Sequence, residues 1–186
     1  MSEVAGKISQ HPLGEDNAEF TEIVDKYQRR LLTIAYRMLG NFEDAKDSAQ
    51  EAFVRIWKTG KWQNSGQEIF TLLARVLVNL CIDRLRKQSL RHFFSLGENT
   101  AGQRLASMSD PANEIENNEL NALLESSINR LKPRQKAVFI LRDIEGHRVK
   151  ETANIIGCSE NSVLTNLHLA RKNMRKWIKP YLHDCN

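Results

Sequence analysis

Between Ser159 and Arg175 the chain carries Asn161, Ser162, Leu164, Thr165, His168, Arg171, Lys172 and Arg175. At helical periodicity these residues occupy one broad face. Amides, hydroxyls and an imidazole make hydrogen bonds to base edges, and guanidinium and ammonium groups neutralise phosphates, so the chemistry of this face is recognition of duplex nucleic acid. The opposite side carries Val163, Leu167, Ala170, Met174 and Trp177 at steps of four, three, four and three, a stripe for burial. A plain helical hairpin with a solvated polar face is the alternative reading.

The element before this helix defines the presentation. Val149, Thr152, Ala153 and Ile156 form one helical face, Gly157 follows where a left-handed residue ends a helix, and Ser159 can cap the next. Two helices joined through a short Gly-containing corner form a helix-turn-helix, whose second helix enters the major groove. Between Arg130 and Lys179 there are twelve Lys/Arg against four Asp/Glu, a local surplus of eight in a chain of net charge +4. Coincidence of the basic segment with the hairpin favours a phosphate-binding surface.

A second set of chemically active residues is acidic. "DAKDSAQE", residues 44–51, places Asp44, Asp47 and Glu51 beside or off the apolar stripe Ala45, Ala49, Ala52, Phe53, Ile56 and Trp57. Carboxylates at that spacing suit a solvated face, a docking surface for cations, or a metal site. Upstream, Phe20, Ile23, Tyr27, Leu31, Ile34 and Met38 predict an amphipathic helix ending at Gly40, and Asn41 caps the one after. Ser65 and Glu68 have the spacing of a capping box for a third helix through Ile69, Leu72, Leu73, Val76, Leu77 and Leu80. That helix runs into "DRLRKQSLRH", with four cations between Arg84 and Arg91 that a nucleic-acid backbone attracts.

From Gly97 to Glu119 the apolar period fails, and five acids against Arg104 give a net of −4, the composition of a linker. Asp110 and Pro111 then have the types of a helix cap and first turn, followed by Leu120, Leu123, Leu124, Ile128 and Leu131. Pro133 opens another helix through Val138, Leu141 and Ile144. The expected architecture is all-α: a tail at 1–17, a three-helix domain at 18–94, an acidic linker at 95–112, and a four-helix domain at 113–186 containing the helix-turn-helix. No segment alternates at period two, so no sheet is expected.

Composition narrows the class. With 41% hydrophobic and 27% charged residues the 186-residue chain holds one sizeable domain or two small ones. No apolar run reaches the length of a membrane span, and "MSEVAGKISQHPLGEDN" lacks the core of a signal peptide, so a cytoplasmic protein without membrane insertion is expected. Cys81, Cys158 and Cys185 lack CxxC spacing, which disfavours a disulfide framework or zinc site. There is no Gly-rich phosphate loop, nucleophile elbow or HExxH, so neither catalysis nor a cofactor or metal is expected.

Three stretches, taken in order, resemble one family. "YRMLGNFEDAKDSAQEAFVRIW", "LLARVLVNLCIDRLRKQ" and "INRLKPRQKAVFILRDIEGHRVKETANIIGCSENSVLTNLHLARKNMRKW" are similar to segments of the two-domain extracytoplasmic-function sigma factors of bacterial RNA polymerase, and the likeness runs from Phe20 to Ile178. The resemblance implies that the first domain binds the polymerase clamp and captures the melted promoter element about ten bases upstream. It implies that the last domain reads the duplex element about thirty-five bases upstream, that the linker threads the RNA channel, and that an anti-sigma partner silences the chain. Departures are Leu72-Leu73 where Trp-Leu is common, Val76-Leu77 where Ile-Ala is common, and "SVLTNLHLAR" where "TVKSRLHRAR" is common, with Leu164, Asn166 and Leu169 in place of cations.

On this reading Asp44, Asp47, Gln50, Glu51, Phe53 and Trp57 form or support the polymerase-binding surface. Lys58, Lys61, Trp62, Asn64, Arg75, Asn79, Asp83, Arg84, Arg86 and Lys87 bind the melted strand, with Asn79 matching the family's Asn and Trp62 alternatively capping the core. Arg148, Lys150, Ser159, Glu160, Asn161, Ser162, Leu164, Thr165, His168, Arg171, Lys172 and Arg175 meet upstream DNA, and Leu164 touches either a thymine methyl or a protein neighbour. A free-standing helix-turn-helix regulator and a polynucleotide-modifying enzyme are the competing functions. The first leaves the N-terminal domain without a task, and the second needs clustered acids in a cleft.

Overall fold

The computed structural model describes residues 15–63, 65–94 and 115–182. Helix α1 (Glu15–Leu39) is followed by α2 (Phe42–Thr59), a 3-10 turn (Gly66–Glu68) and α3 (Ile69–Phe94). After the undescribed interval come α4 (Ile115–Asn129), α5 (Pro133–Phe139), a π turn (Ile140–Ile144), α6 (Val149–Ile156) and α7 (Glu160–Leu182). The described residues are all helical, as the 3.6-residue periodicity predicts, and contain no strand.

Local chemistry accounts for most boundaries. Gly40, at φ 71°, turns α1 into α2, and Asn41 Oδ1 accepts from the Asp44 amide at 3.0 Å, tying off a free N–H of the first turn. Gly60, at φ 63°, closes α2. The expected capping box is absent: Ser65 makes no side-chain cap, its hydroxyl donates back to the Lys61 carbonyl, and α3 begins three residues after the 3-10 turn does. A polar side chain satisfied by the preceding turn is no longer available to the next helix. Helix α4 begins at Ile115, within the acidic stretch 97–119. The rest of that linker, the cap assigned to Asp110 and Pro111, and Asn64 lie outside the described residues.

The helix after Pro133 is not uniform. Its last turn widens to a π turn, with the Glu145 amide on the Ile140 carbonyl at 2.9 Å and the His147 amide on the Leu141 carbonyl at 2.9 Å. The widening carries Glu145 and His147 toward α1 and α3. Helices α1, α2 and α3 pack through Leu31, Ile34, Met38, Ala52, Ile56, Leu73 and Leu77. Val138, Ile140, Leu141, Ile155 and Val163 from the second half belong to the same continuous core, so the two helical groups are packed on one another. A smaller cluster of Leu131, Ala170 and Met174, with Leu124, Phe139 and Trp177, fastens α7 to α4 and α5.

Helix α3 serves both groups. Along "IFTLLARVLVNLCI" nearly every position is buried or half-buried, and its exposed positions there, Arg75 and Asn79, continue to Asp83 at steps of four. A helix apolar almost all round has neighbours on several sides, and a single polar strip marks the side left open.

Candidate nucleic-acid interface

The hairpin is built as its sequence predicts. Gly157 takes φ 72° and ψ 48°, and its amide returns to the Ala153 carbonyl at 2.8 Å, which ends α6 in a sharp corner. The Arg148 amide donates to Glu151 Oε2 at 2.8 Å at the start of α6. Ser159 Oγ accepts from the Ser162 amide at 3.2 Å at the start of α7. Thr152, Ala153 and Ile156, then Val163, Leu167, Ala170 and Met174, are buried. Packing of both stripes leaves Asn161, Leu164, Thr165, His168, Lys172 and Arg175 on the open side, with Ser162 half-buried and Glu160, Arg148 and Lys150 exposed.

Two details refine that face. The Thr165 hydroxyl donates to the Asn161 carbonyl at 2.9 Å, which leaves its oxygen lone pairs and methyl outward. Arg171 is held in a two-pronged pair with Asp143, Nε to Oδ2 at 2.9 Å and Nη2 to Oδ1 at 2.6 Å, and the hydrogen bond to Asp143 raises its pKa further. Its fork is oriented by the π turn, unlike the other expected phosphate contacts. Leu164 is 51% exposed, so it is not covered by a neighbouring helix.

On α3, Arg75, Asn79 and Asp83 line up on the exposed strip, with Arg86 and Lys87 beyond it and Lys58 and Lys61 exposed at the end of α2. Asp83 and Arg86 pair at 3.6 Å. Two of the residues assigned to the melted strand, Trp62 and Arg84, are engaged within the protein. Trp62 is 4% exposed and stacks on Trp57 at 5.4 Å with an 11° tilt, with Phe20 at 5.3 Å from it, so it caps the core. Arg84 reaches across to α2, donating to Asp44 Oδ1 at 2.9 Å and the Asp44 carbonyl at 3.2 Å, and lies 3.9 Å from Asp47. It clasps two helices.

The acidic set divides the same way. Asp47, Gln50 and Glu51 are exposed on α2, and Glu51 pairs with Arg55 one turn on at 2.7 Å. Asp44 is half-buried by its cap and by Arg84. Phe53 is buried and Trp57 half-buried, so these two support the surface from beneath. Beside the acids, α1 and α2 enclose an open groove lined by Val24, Leu32, Phe42, Lys46, Gln50 and Phe53. Val24, Leu32 and Phe42 were absent from the residues assigned from sequence. The signal for the groove was Phe42, a large apolar residue directly after the N-cap and 39% exposed. Among the described residues no group of His, Cys, Asp and Glu is arranged to hold a metal ion.

Residues 23–91 match the sigma-70 region 2 model, and residues 121–174 match the sigma-70 region 4 model. The RNA polymerase sigma-E factor of Streptomyces avermitilis is 31% identical over 85% of this chain and 84% of its own length. SigW of Bacillus subtilis, an ECF RNA polymerase sigma factor, is 29% identical over 93% of this chain and 95% of its own. The chain belongs to the extracytoplasmic-function sigma factors, which direct RNA polymerase to promoters. Among solved structures, the sigma factor RpoE of Bartonella quintana bound to the anti-sigma factor NepR shares the fold with a TM-score of 0.67 at 19% identity, covering 87% of this chain and 97% of that one. CnrH in complex with the cytosolic domain of CnrY gives a TM-score of 0.61 at 18% identity, covering 88% and 90%.

Proposed function

We propose that this sigma factor divides its task among the three surfaces: Asp47, Gln50 and Glu51 with the α1–α2 groove take the polymerase clamp, the α3 strip takes the melted strand, and α7 reads the upstream duplex. The observation that carries this reading is the placement of an exposed acidic helix face and an exposed hydrogen-bonding and cationic helix face on separate elements, α2 and α7. A clamp helix rich in cations gains charge-assisted contacts from the first, and a duplex gains base and phosphate contacts from the second. The chain acts by binding, with no catalytic step of its own, in the cytoplasm. Among the described residues no helix is long and apolar enough to cross a membrane. Control by an anti-sigma factor is part of the proposal, supported by the structurally similar sigma factors that were solved with NepR and with CnrY bound. The domain boundaries proposed are 18–94 and 113–186.

The decisive experiment is promoter selection from a randomised upstream element by holoenzymes carrying Asn161→Ala, Thr165→Ala or Lys172→Ala. The first two are expected to change the selected sequence, at about 1–3 kcal/mol for each lost base contact, and the third to weaken all sequences alike and flatten the salt dependence. Identical selection by wild type and the first two variants would remove α7 as the reader. Asp47→Arg with Glu51→Arg is expected to abolish co-purification with core polymerase while helical content is kept.

A further inference from the structure

Along α7, Leu164, His168, Arg171 and Arg175 follow one another at steps of four, three and four, so they form a single stripe on the open side of the helix. The three later members are an imidazole and two guanidiniums, and Arg171 is held in place by Asp143 at 2.6 and 2.9 Å. The first member is a leucine with 51% of its surface open. A leucine exposed singly is ordinary on a protein surface. Here the surroundings give it a meaning: Glu160 and Asn161 one turn before it, Thr165 beside it and His168 one turn after it are polar and exposed. Leu169, also exposed, lies about 140° away around the helix axis. Leu164 is therefore one apolar spot among hydrogen-bonding groups, and not the margin of an apolar patch.

The floor of a major groove has the same make-up, a field of donors and acceptors interrupted by one kind of apolar group, the C5-methyl of thymine. The first turns of a recognition helix face the bases, and cations further along it meet phosphates. We infer that Leu164 reads a thymine methyl and so sets a thymine preference at one position of the upstream element. The inference deepens the proposed reading of the upstream duplex by α7 and rests on it. A protein partner is the poorer occupant. An apolar surface laid over Leu164 would also strip water from the Glu160 carboxylate, the Asn161 amide and the His168 ring, at a cost unless each found a new partner. In a groove the base edges beside the methyl supply donors and acceptors to those same groups.

The test uses holoenzyme and the duplex that the wild type selects from a randomised upstream element. Each thymine of that element, on either strand, is replaced singly by 2′-deoxyuridine, which removes the methyl and leaves the pairing edge intact. One such replacement is expected to weaken wild-type binding about three- to fivefold, the worth of one buried methyl. Leu164→Ala is expected to bind the thymine and deoxyuridine duplexes alike, and Leu164→Met to keep the discrimination. Leu164→Lys is expected to lose it while binding all duplexes more tightly and with a steeper salt dependence. A selected element without thymine, equal binding of every deoxyuridine duplex by the wild type, or the same loss in wild type and Leu164→Ala overturns the inference. So does a Leu164→Ala protein that keeps the discrimination and loses core polymerase, which would give Leu164 to a protein contact. If Asn161→Ala and Thr165→Ala change the selected sequence and deoxyuridine has no effect, the thymine contact alone falls. If the selection yields no preferred upstream sequence, or those two variants leave it unchanged, α7 is not the reader and both proposals fall.

Discussion

His147 shows what a single residue at a shared edge is subject to. Burial first, and then the Arg30 guanidinium, hold its imidazole below the ordinary value of 6.5, against the opposing pull of Glu151 and Glu145. The neutral ring is therefore the form that fits the folded chain. Its contribution to stability is complete above the ordinary histidine value and is lost as pH falls below it. Denaturant unfolding between pH 7.5 and 5.5 is expected to show falling stability in the wild type and a flatter profile in His147→Gln. Lys136 presents the opposite case for a cation. It is 2% exposed, donates to Asn129 Oδ1 at 2.7 Å, and is pushed down to about 8 by burial from 10.5. At neutral pH it stays charged in an interior that disfavours charge. Lys136→Met is expected to stabilise the protein at pH 7 by about 1–3 kcal/mol in denaturant unfolding, an advantage that shrinks from pH 8 toward 10.5 as the wild-type amine loses its proton in the folded state. Asn79→Ala, which removes an exposed amide from the α3 strip, is expected to leave core binding unchanged and to reduce permanganate reactivity of promoter thymines.

At the scale of elements, the hairpin corner and the α2–α3 clasp are the two joints on which the faces depend. Gly157 adopts a left-handed conformation and has Arg75 at the distance of a tight contact, so Gly157→Ala adds both backbone strain and crowding. A loss of about 1–2 kcal/mol in thermal or chemical unfolding is expected. This corner was legible in the sequence because a glycine after a short apolar face, followed by a serine, has few other uses. The buried stripe Val163, Leu167, Ala170 and Met174 was legible for the same kind of reason, a period that suits only one secondary structure. The capping box expected at Ser65 and Glu68 failed because spacing does not reveal which carbonyl a hydroxyl reaches first. Trp62 could be read either as a stacking platform or as a core cap, since a tryptophan serves equally well against a base or another indole; Phe20 and Trp57, 42 and 5 residues away, decide it.

For the whole molecule, the acidic interval is the part that charge alone addresses. Replacing residues 97–119, net −4, by a neutral Gly/Ser segment of equal length is expected to change abortive products and promoter escape if the segment imitates nucleic acid in the RNA channel, and unchanged patterns would mark it as a tether. The sequence by itself determined the all-helical class, the helices and most of their caps, the basic helix-turn-helix and the acidic face of α2, because each depends on periodicity, local capping or charge within a few turns. Only the tertiary structure decided that α3 is shared by both helical groups, that Arg84 clasps Asp44, that Arg171 is engaged by Asp143, and that Glu145 and His147 reach α1 and α3. These pairings join residues 28 to 117 positions apart, and the choice among many equally suitable charged partners is made by the packing that brings the helices together.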